Sequence, residues 1–291
     1  LTTDQMQAIA NWTNLSETTF IIPPPTGEGD HAQHDRLRSG TPDKVRGGGA
    51  LSSGRTPHHY HIRIFTPRAE LPFAGHPTIG SAHAMLSAGL VTPRHDGAGG
   101  GIITQHSAVG PVDIAVPDDW REAGLSFRLP QHPISPAPEP QTLTAALGTA
   151  PLAPPAIVNV GPKWVIAQLA DEATVRGLTP DLAALATYDR THATTGLTVF
   201  AADISGHVTV RSFAPADGIA EDPVCGSGNG AVAAYRLNLS QTGQGNSYTA
   251  SQGREVGRAG HIHIPYAPAA DGTAIHVGGR AVTVVEGHLH I

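Results

Sequence analysis

The sequence predicts an α+β protein built as two similar halves, on three observations. Strand-like runs outnumber helical ones, each half has one principal helix directly after a glycine-rich turn, and a stretch of the first half recurs in the second. Glycine (34) and proline (25) are above average usage while aromatics are 5%, the composition of many turns joining short strands. The 291 residues suffice for two domains of ordinary size.

Thr2 with Gln5 makes a capping-box pattern, and Met6, Ile9 and Trp12 follow at helical spacing, which predicts a helix from Asp4 to about Thr13. NLSETTFIIPPP then turns to a β-rich run that proline ends, so Glu17 sits where helix hands over to strand. Residues 26–58 carry Gly, Ser, Pro and charge with little apolar periodicity, predicting an exposed insertion. His31, His34, His58, His59 and His61 in or beside it lack metal-ligand spacing, and no metal site is expected. Alternating or β-branched runs predict strands at 58–67, 101–107, 110–117, 125–130, 156–161, 163–169, 197–203, 207–215, 261–266 and 281–287. Helices are predicted at 78–89, 140–148, 171–176, 180–187 and 228–239. The halves divide as 1–128 and 129–291, with a last strand at about 280–291 crossing back to the first half.

Charged residues make up 14% of the chain, the net charge is −6 and the pI about 6.3, so no basic field draws it to nucleic acid or to a membrane surface, and a small molecule is the expected partner. No run of about 18 apolar residues occurs and LTTDQMQAIANW lacks a secretion-signal pattern, so the chain reads as soluble. The single cysteine, Cys225, rules out an intramolecular disulfide and makes a reducing cytoplasm the expected compartment.

The repeat is the most informative feature. Arg63, Phe65 and Pro67 match Arg211, Phe213 and Pro215, while Glu70, Pro72, Gly75 and Ala82 match Glu221, Pro223, Gly226 and Ala233. Both copies read strand, turn, small-residue loop, helix. A glycine loop that opens a helix presents unpaired N–H groups and the positive end of the helix dipole, which together favour an anion. Two such loops facing one another across a cleft would grip a carboxylate and stabilise an enolate-like intermediate.

NLSETTF (14–20), RIFTP, ELPFAGHPTIG (70–80) and EDPVCGSGNGAVAAY (221–235), in this order, resemble the PhzF-like branch of the diaminopimelate-epimerase fold, and the closing GGRAVTVVEGHLHI extends the likeness over most of the chain. The resemblance implies two pseudo-symmetric domains, each a β-sheet or barrel around a central helix, assembled as a homodimer, with no metal or organic cofactor. It also implies isomerisation by proton shift, with the Glu of the NLSE motif, Glu17, moving the proton. Carried over in the same way, His76 of AGHP, Asp222 of EDP and Ser227 are site residues, and Gly75 and Gly226 supply backbone contacts. The family opens with a strand and a Gly-Asn-Pro element; nothing comparable precedes Leu1, so a first half without its natural beginning is expected.

Related racemases of this fold use two cysteines, one at each helix entrance. Cys225 stands at the second position, but Ala74 occupies the first, so a two-thiol mechanism is impossible. Cys225 is either a proton-exchange partner of Glu17, as a thiolate favoured by the helix N-terminus, or a compact packing residue. Asp222 before a proline is a candidate acid or a turn former, His76 a ligand contact or a structural histidine, and Glu70 and Glu221 read as loop braces. The expected function is a cofactor-independent isomerase acting on a small, carboxylate-bearing, amino-acid-derived unsaturated compound in specialised-metabolite (antibiotic) biosynthesis. The alternatives are a non-catalytic binding protein of the same fold and an amino-acid racemase or epimerase using Cys225.

Overall fold

The computed structural model describes residues 1–22, 56–95, 100–129, 132–241, 247–270 and 272–289, so nearly all of the predicted 26–58 insertion lies outside the described residues. The first half runs α1 (Thr3–Thr13), β1 (Thr18–Ile22), β2 (His59–Phe65), β3 (Glu70–Leu71), α2 (Gly75–Ser87), β4 (Arg94–His95), β5 (Gly101–Ser107), β6 (Gly110–Val116), α3 (Trp120–Ala123) and β7 (Leu125–Arg128). The second continues with β8 (Ile134–Pro136), α4 (Pro140–Leu147), β9 (Ala156–Asn159), β10 (Lys163–Gln168), α5 (Glu172–Gly177), α6 (Leu182–His192), β11 (Gly196–Ala202), β12 (Val208–Ala214), β13 (Ile219–Asp222), α7 (Gly226–Asn238), β14 (Ser247–Gln252), β15 (Gly260–Ala269) and β16 (Gly272–Gly279). The capping box at α1 is present in both directions, Thr2 Oγ1 accepting from the Gln5 N–H at 3.2 Å and Gln5 Oε1 from the Thr2 N–H at 2.8 Å.

The described strands form one sheet with the path β1-β2-β5-β6-β7-β16-β15-β14-β12-β11-β10-β9-β8, and off it β3 pairs with β2, β4 with β5 and β13 with β12. It wraps two central helices. β1, β5, β7 and β16 contact α2, whereas β9, β10, β11, β15 and β16 contact α7. Alternation in β2 points Tyr60, Ile62 and Ile64 inward and leaves His59, His61 and Arg63 on the outer face. His61 stacks on His106 of β5 with ring centroids 4.6 Å apart. Among the described residues no cluster of three His, Cys, Asp or Glu side chains is arranged to hold a metal ion.

β10, β11 and β12 are instead buried on both faces. α7 covers one face and α4, α5 and α6 the other, through Leu143, Val175, Leu185 and Tyr188, which is why these strands read as continuous apolar runs. No described helix is long and apolar enough to cross a membrane.

The closing strand differs from expectation. Residues 281–287 form no strand, and Val282, Val284 and Val285 are exposed. β propensity alone makes no strand without a paired neighbour, and both sides of β7 are already taken by β6 and β16. The crossing to the first half is made earlier, by β16, whose Val277 pairs with Phe127. Three glycines hide β16 in the sequence, and one is required there, since a Cβ on Gly278 would lie 2.7 Å from the Leu125 carbonyl oxygen.

On α6, Asp189 is buried with its Oδ1 accepting from Thr194 Oγ1 at 2.7 Å and its Oδ2 unpaired. Burial pushes its carboxyl up to about 6. A carboxyl raised above its unfolded pKa costs stability increasingly as pH rises from the unfolded value through about 6. Asp189→Asn, which keeps the acceptor for Thr194, is therefore expected to match the wild type in urea unfolding at pH 4. At pH 8 the variant should exceed it by roughly 1–2 kcal/mol.

Candidate active site

The repeat identified in the sequence is a structural repeat. Arg63 donates from Nε and Nη2 to both oxygens of Glu70 at 2.8 and 2.7 Å, and Arg211 does the same to Glu221 at 3.0 and 2.7 Å. These forks tie β2 to β3 and β12 to β13, and so aim each strand at the glycine that starts the next helix. Each half also holds a buried glutamine that the sequence did not single out. Gln105 donates to Thr78 Oγ1 of α2 at 2.9 Å, while Gln252 accepts from Asn229 Nδ2 of α7 at 2.7 Å and from the Cys225 N–H at 3.1 Å. Gln252 also donates to the Asp222 carbonyl at 2.8 Å, so one side chain fixes the loop on either side of Val224. The available signal was Asn229 itself, a fully buried amide in a helix of small residues, which needs a partner.

These braces bring the N-termini of α2 and α7 together. A Cβ on Gly75 or on Gly226 would lie 3.1 Å from the other glycine's Cα, so the approach relies on the absence of side chains at both. α7 is capped, its Gly228 N–H donating to Cys225 Sγ at 3.2 Å; α2 has no side-chain cap, because Ala74 holds that position.

Glu17, Gly75, His76, Asp222, Cys225, Gly226 and Ser227 all line one cleft of about 1280 Å³. Glu17 reaches it from the turn before β1, its side chain only 11% exposed. Glu17 Oε2 lies 3.1 Å from His76 Nε2, an ion-pair distance without hydrogen-bond alignment, so this buried oxygen has no aligned donor. Burial raises the Glu17 carboxyl above its usual range; His76 pulls it back, the Asp222 charge lifts it further, and Ser16 lowers it. Asp222 is raised by burial too, against the opposing effects of His76 and the Val224 N–H, which donates to Asp222 Oδ1 at 2.9 Å. Trp164, unremarked in the sequence, donates from Nε1 to Ser227 Oγ at 3.0 Å and orients it.

Cys225 does not have the character of an activated thiol. A helix N-terminus favours a thiolate. Here complete burial comes first and, with the Asp222 charge, pushes the thiol well above its ordinary value despite Ser227, the Gly228 N–H and Ser212.

A sheet wound around two central helices whose glycine-led N-termini meet beside a buried carboxylate defines a protein of the diaminopimelate-epimerase-like fold. The family model described as phenazine biosynthesis-like protein (PhzC-PhzF) matches residues 51–287, and the chain belongs to that family. It is 33% identical over 99% of its length to antisense-enhancing sequence 1 of Schizosaccharomyces pombe, covering 88% of that protein. It is 28% identical over its whole length to the trans-2,3-dihydro-3-hydroxyanthranilate isomerase of Pseudomonas aeruginosa, covering 90% of it. A crystal structure of a Bacillus anthracis PhzF-family protein superposes with a TM-score of 0.75 at 19% identity, over 100% of this chain and 90% of that one. The chain is an enzyme, an isomerase.

Proposed function

We propose that this isomerase shifts a proton between two carbons of a small, carboxylate-bearing, amino-acid-derived unsaturated substrate, with Glu17 taking and returning the proton. The observation that carries the reading is Glu17 itself, a buried carboxylate in the cleft whose Oε2 lacks an aligned donor and whose pKa is raised by burial. Such a group is a stronger base when ionised and a usable acid once protonated. Glu17 removes a proton from a carbon acidified by the adjacent unsaturated or carboxyl group. Glu17 or Asp222 then returns a proton at the second carbon.

The negative charge that develops between the two steps faces the first turns of α2 and α7, where the N–H groups of α2, which no side chain caps, and the dipoles of both helices favour it. His76 orients Glu17, and Gly75, Gly226 and Ser227 position the substrate. In this reading Cys225 packs and caps α7 rather than exchanging protons, which its burial supports. The chemistry is carried by the chain's own acid and base groups, without a cofactor, in a cytoplasmic homodimer serving specialised-metabolite biosynthesis.

The test is incubation in deuterated water with trans-2,3-dihydro-3-hydroxyanthranilate, on which the Pseudomonas relative acts, and with a panel of unsaturated amino acids. Wild type should place deuterium on carbon, and Glu17→Gln should not. Exchange that survives in Glu17→Gln sinks the assigned role, and exchange abolished by Cys225→Ser but not by Glu17→Gln moves the chemistry to the thiol.

A further inference from the structure

A cleft that takes a carboxylate is here lined by four carboxylates of its own, Glu17, Asp217, Glu221 and Asp222. The cationic side chains of its described lining are Arg68, Arg211 and His76, and the last two are already engaged. Arg211 is forked onto Glu221 and gives Nη1 to the Val175 and Leu178 carbonyls, while His76 Nε2 lies 3.1 Å from Glu17. Arg68 is left. Among the described residues its guanidinium makes no hydrogen bond and no ion pair. Asp217, whose carboxyl burial raises and the Arg68 charge pulls back, senses it without pairing.

Arg68 is exposed, yet its direction is fixed. Gln7 Nε2 and Asn11 Nδ2 of α1 donate to the Thr66 and Pro67 carbonyls at 2.9 and 3.2 Å, and the Arg68 and Ala69 N–H groups donate to Thr66 Oγ1 at 3.2 and 3.0 Å. From this turn the side chain crosses to the second half and ends on Gly218. A Cβ on Gly218 would lie 2.8, 3.0 and 3.1 Å from Nη1, Cζ and Nη2 of Arg68, three nearly equal distances that set the bare backbone against the flat face of the fork. The fork's N–H groups lie in its plane, so they point past Gly218 and stay free for a ligand. Thr18 of β1 pairs with Phe65 of β2, which brings Glu17 beside Thr66, two residues from Arg68. The corresponding turn of the second half, Pro215–Asp217, carries no cation.

We infer that Arg68 binds the substrate's carboxylate at the rim of the cleft, so that the permanent charge stays there while the reacting carbon lies at Glu17. This deepens the proton-shift reading and rests on it for the position of the reacting carbon. A guanidinium presents paired donors that match the two oxygens of a carboxylate, and it offers no comparable partner to a neutral amide or an ammonium group. Holding the carboxylate on Arg68 also leaves the α2 and α7 entrances to the charge that appears only during the reaction, where donors speed the chemical step rather than merely tighten binding.

The test needs binding but no turnover, so it stands apart from the exchange experiment on Glu17. Calorimetric titration at low ionic strength compares 3-hydroxyanthranilate, a non-reacting aromatic acid with the ring substituents of the relative's substrate, with its carboxamide. Wild type should bind the acid about tenfold more tightly than the amide, as expected for a charged hydrogen-bonded pair. Arg68→Gln should lose that preference, and Arg68→Lys should recover part of it. Because Arg68 is exposed, both variants should unfold at the wild-type urea midpoint. An Arg68→Gln protein that keeps the full preference assigns the carboxylate to the helix N-termini and overturns the inference; so does a wild type that binds acid and amide equally or binds neither.

Discussion

Arg211→Met is expected to cost about 3–5 kcal/mol in urea unfolding, while Arg63→Met costs no more than about 1 kcal/mol, although the two forks have the same geometry. The difference lies in burial. The Arg211–Glu221 side chains are 8% and 9% exposed, the Arg63–Glu70 side chains 27% and 36%. Removing Arg211 strands a buried carboxylate and also the Val175 and Leu178 carbonyls, which accept from Arg211 Nη1 at 3.1 and 2.7 Å. Water can replace Arg63 beside Glu70. Equal losses from the two substitutions would show that burial does not set the value of these forks.

Glu17→Gln is expected to lower kcat/KM by roughly 10²–10⁴, the usual contribution of a positioned acid–base group. The pH profile supplies a finer check. Glu17 must be ionised to take a proton, and its pKa is raised, so kcat/KM should climb along an acid limb lying above the ordinary carboxylate range. Asp222→Asn removes a charge that lifts Glu17 while keeping the oxygen that accepts from Val224, so the limb should move to lower pH. His76→Gln removes the opposing charge and should move it higher. Because the two carboxylates interact, the limb reports the pair rather than one residue, but the opposite directions of the two shifts are diagnostic. A limb that stays in place in both variants would remove Glu17 from the titrating group.

The strand and helix pattern of this chain was legible wherever burial imposed a clear period, as in β2, or a buried run, as in β10 to β12. β14, SYTASQ, and β16, GTAIHVGG, were not, because polar alternation and glycine mask a strand whose place is set by its neighbours. Residues 281–287 erred the other way, having the composition of a strand but pairing with no neighbour. For the site, the matched motifs foretold which residues share the cleft, since a repeated strand-loop-helix unit places equivalent glycines face to face. The sequence could not show the Gln105 and Gln252 clamps or the Trp164 contact, whose meaning comes from elements far apart in the chain. The character of Cys225 was undecided for a related reason: a helix terminus and burial act in opposite directions on a thiol, and only the three-dimensional environment shows that burial prevails.

The pairing of β16 with β7 has a consequence for how the molecule is made. β7 belongs to the first half, yet one of its two neighbours is contributed by residues 272–279, far downstream. During synthesis the early sheet must remain with an open edge and an incompletely covered α2 until nearly the whole described chain has emerged. Long-range closure of this kind is slow and leaves apolar surface exposed meanwhile. The two halves are alike in form, but in time they are not independent: the first can reach its final state only with the second.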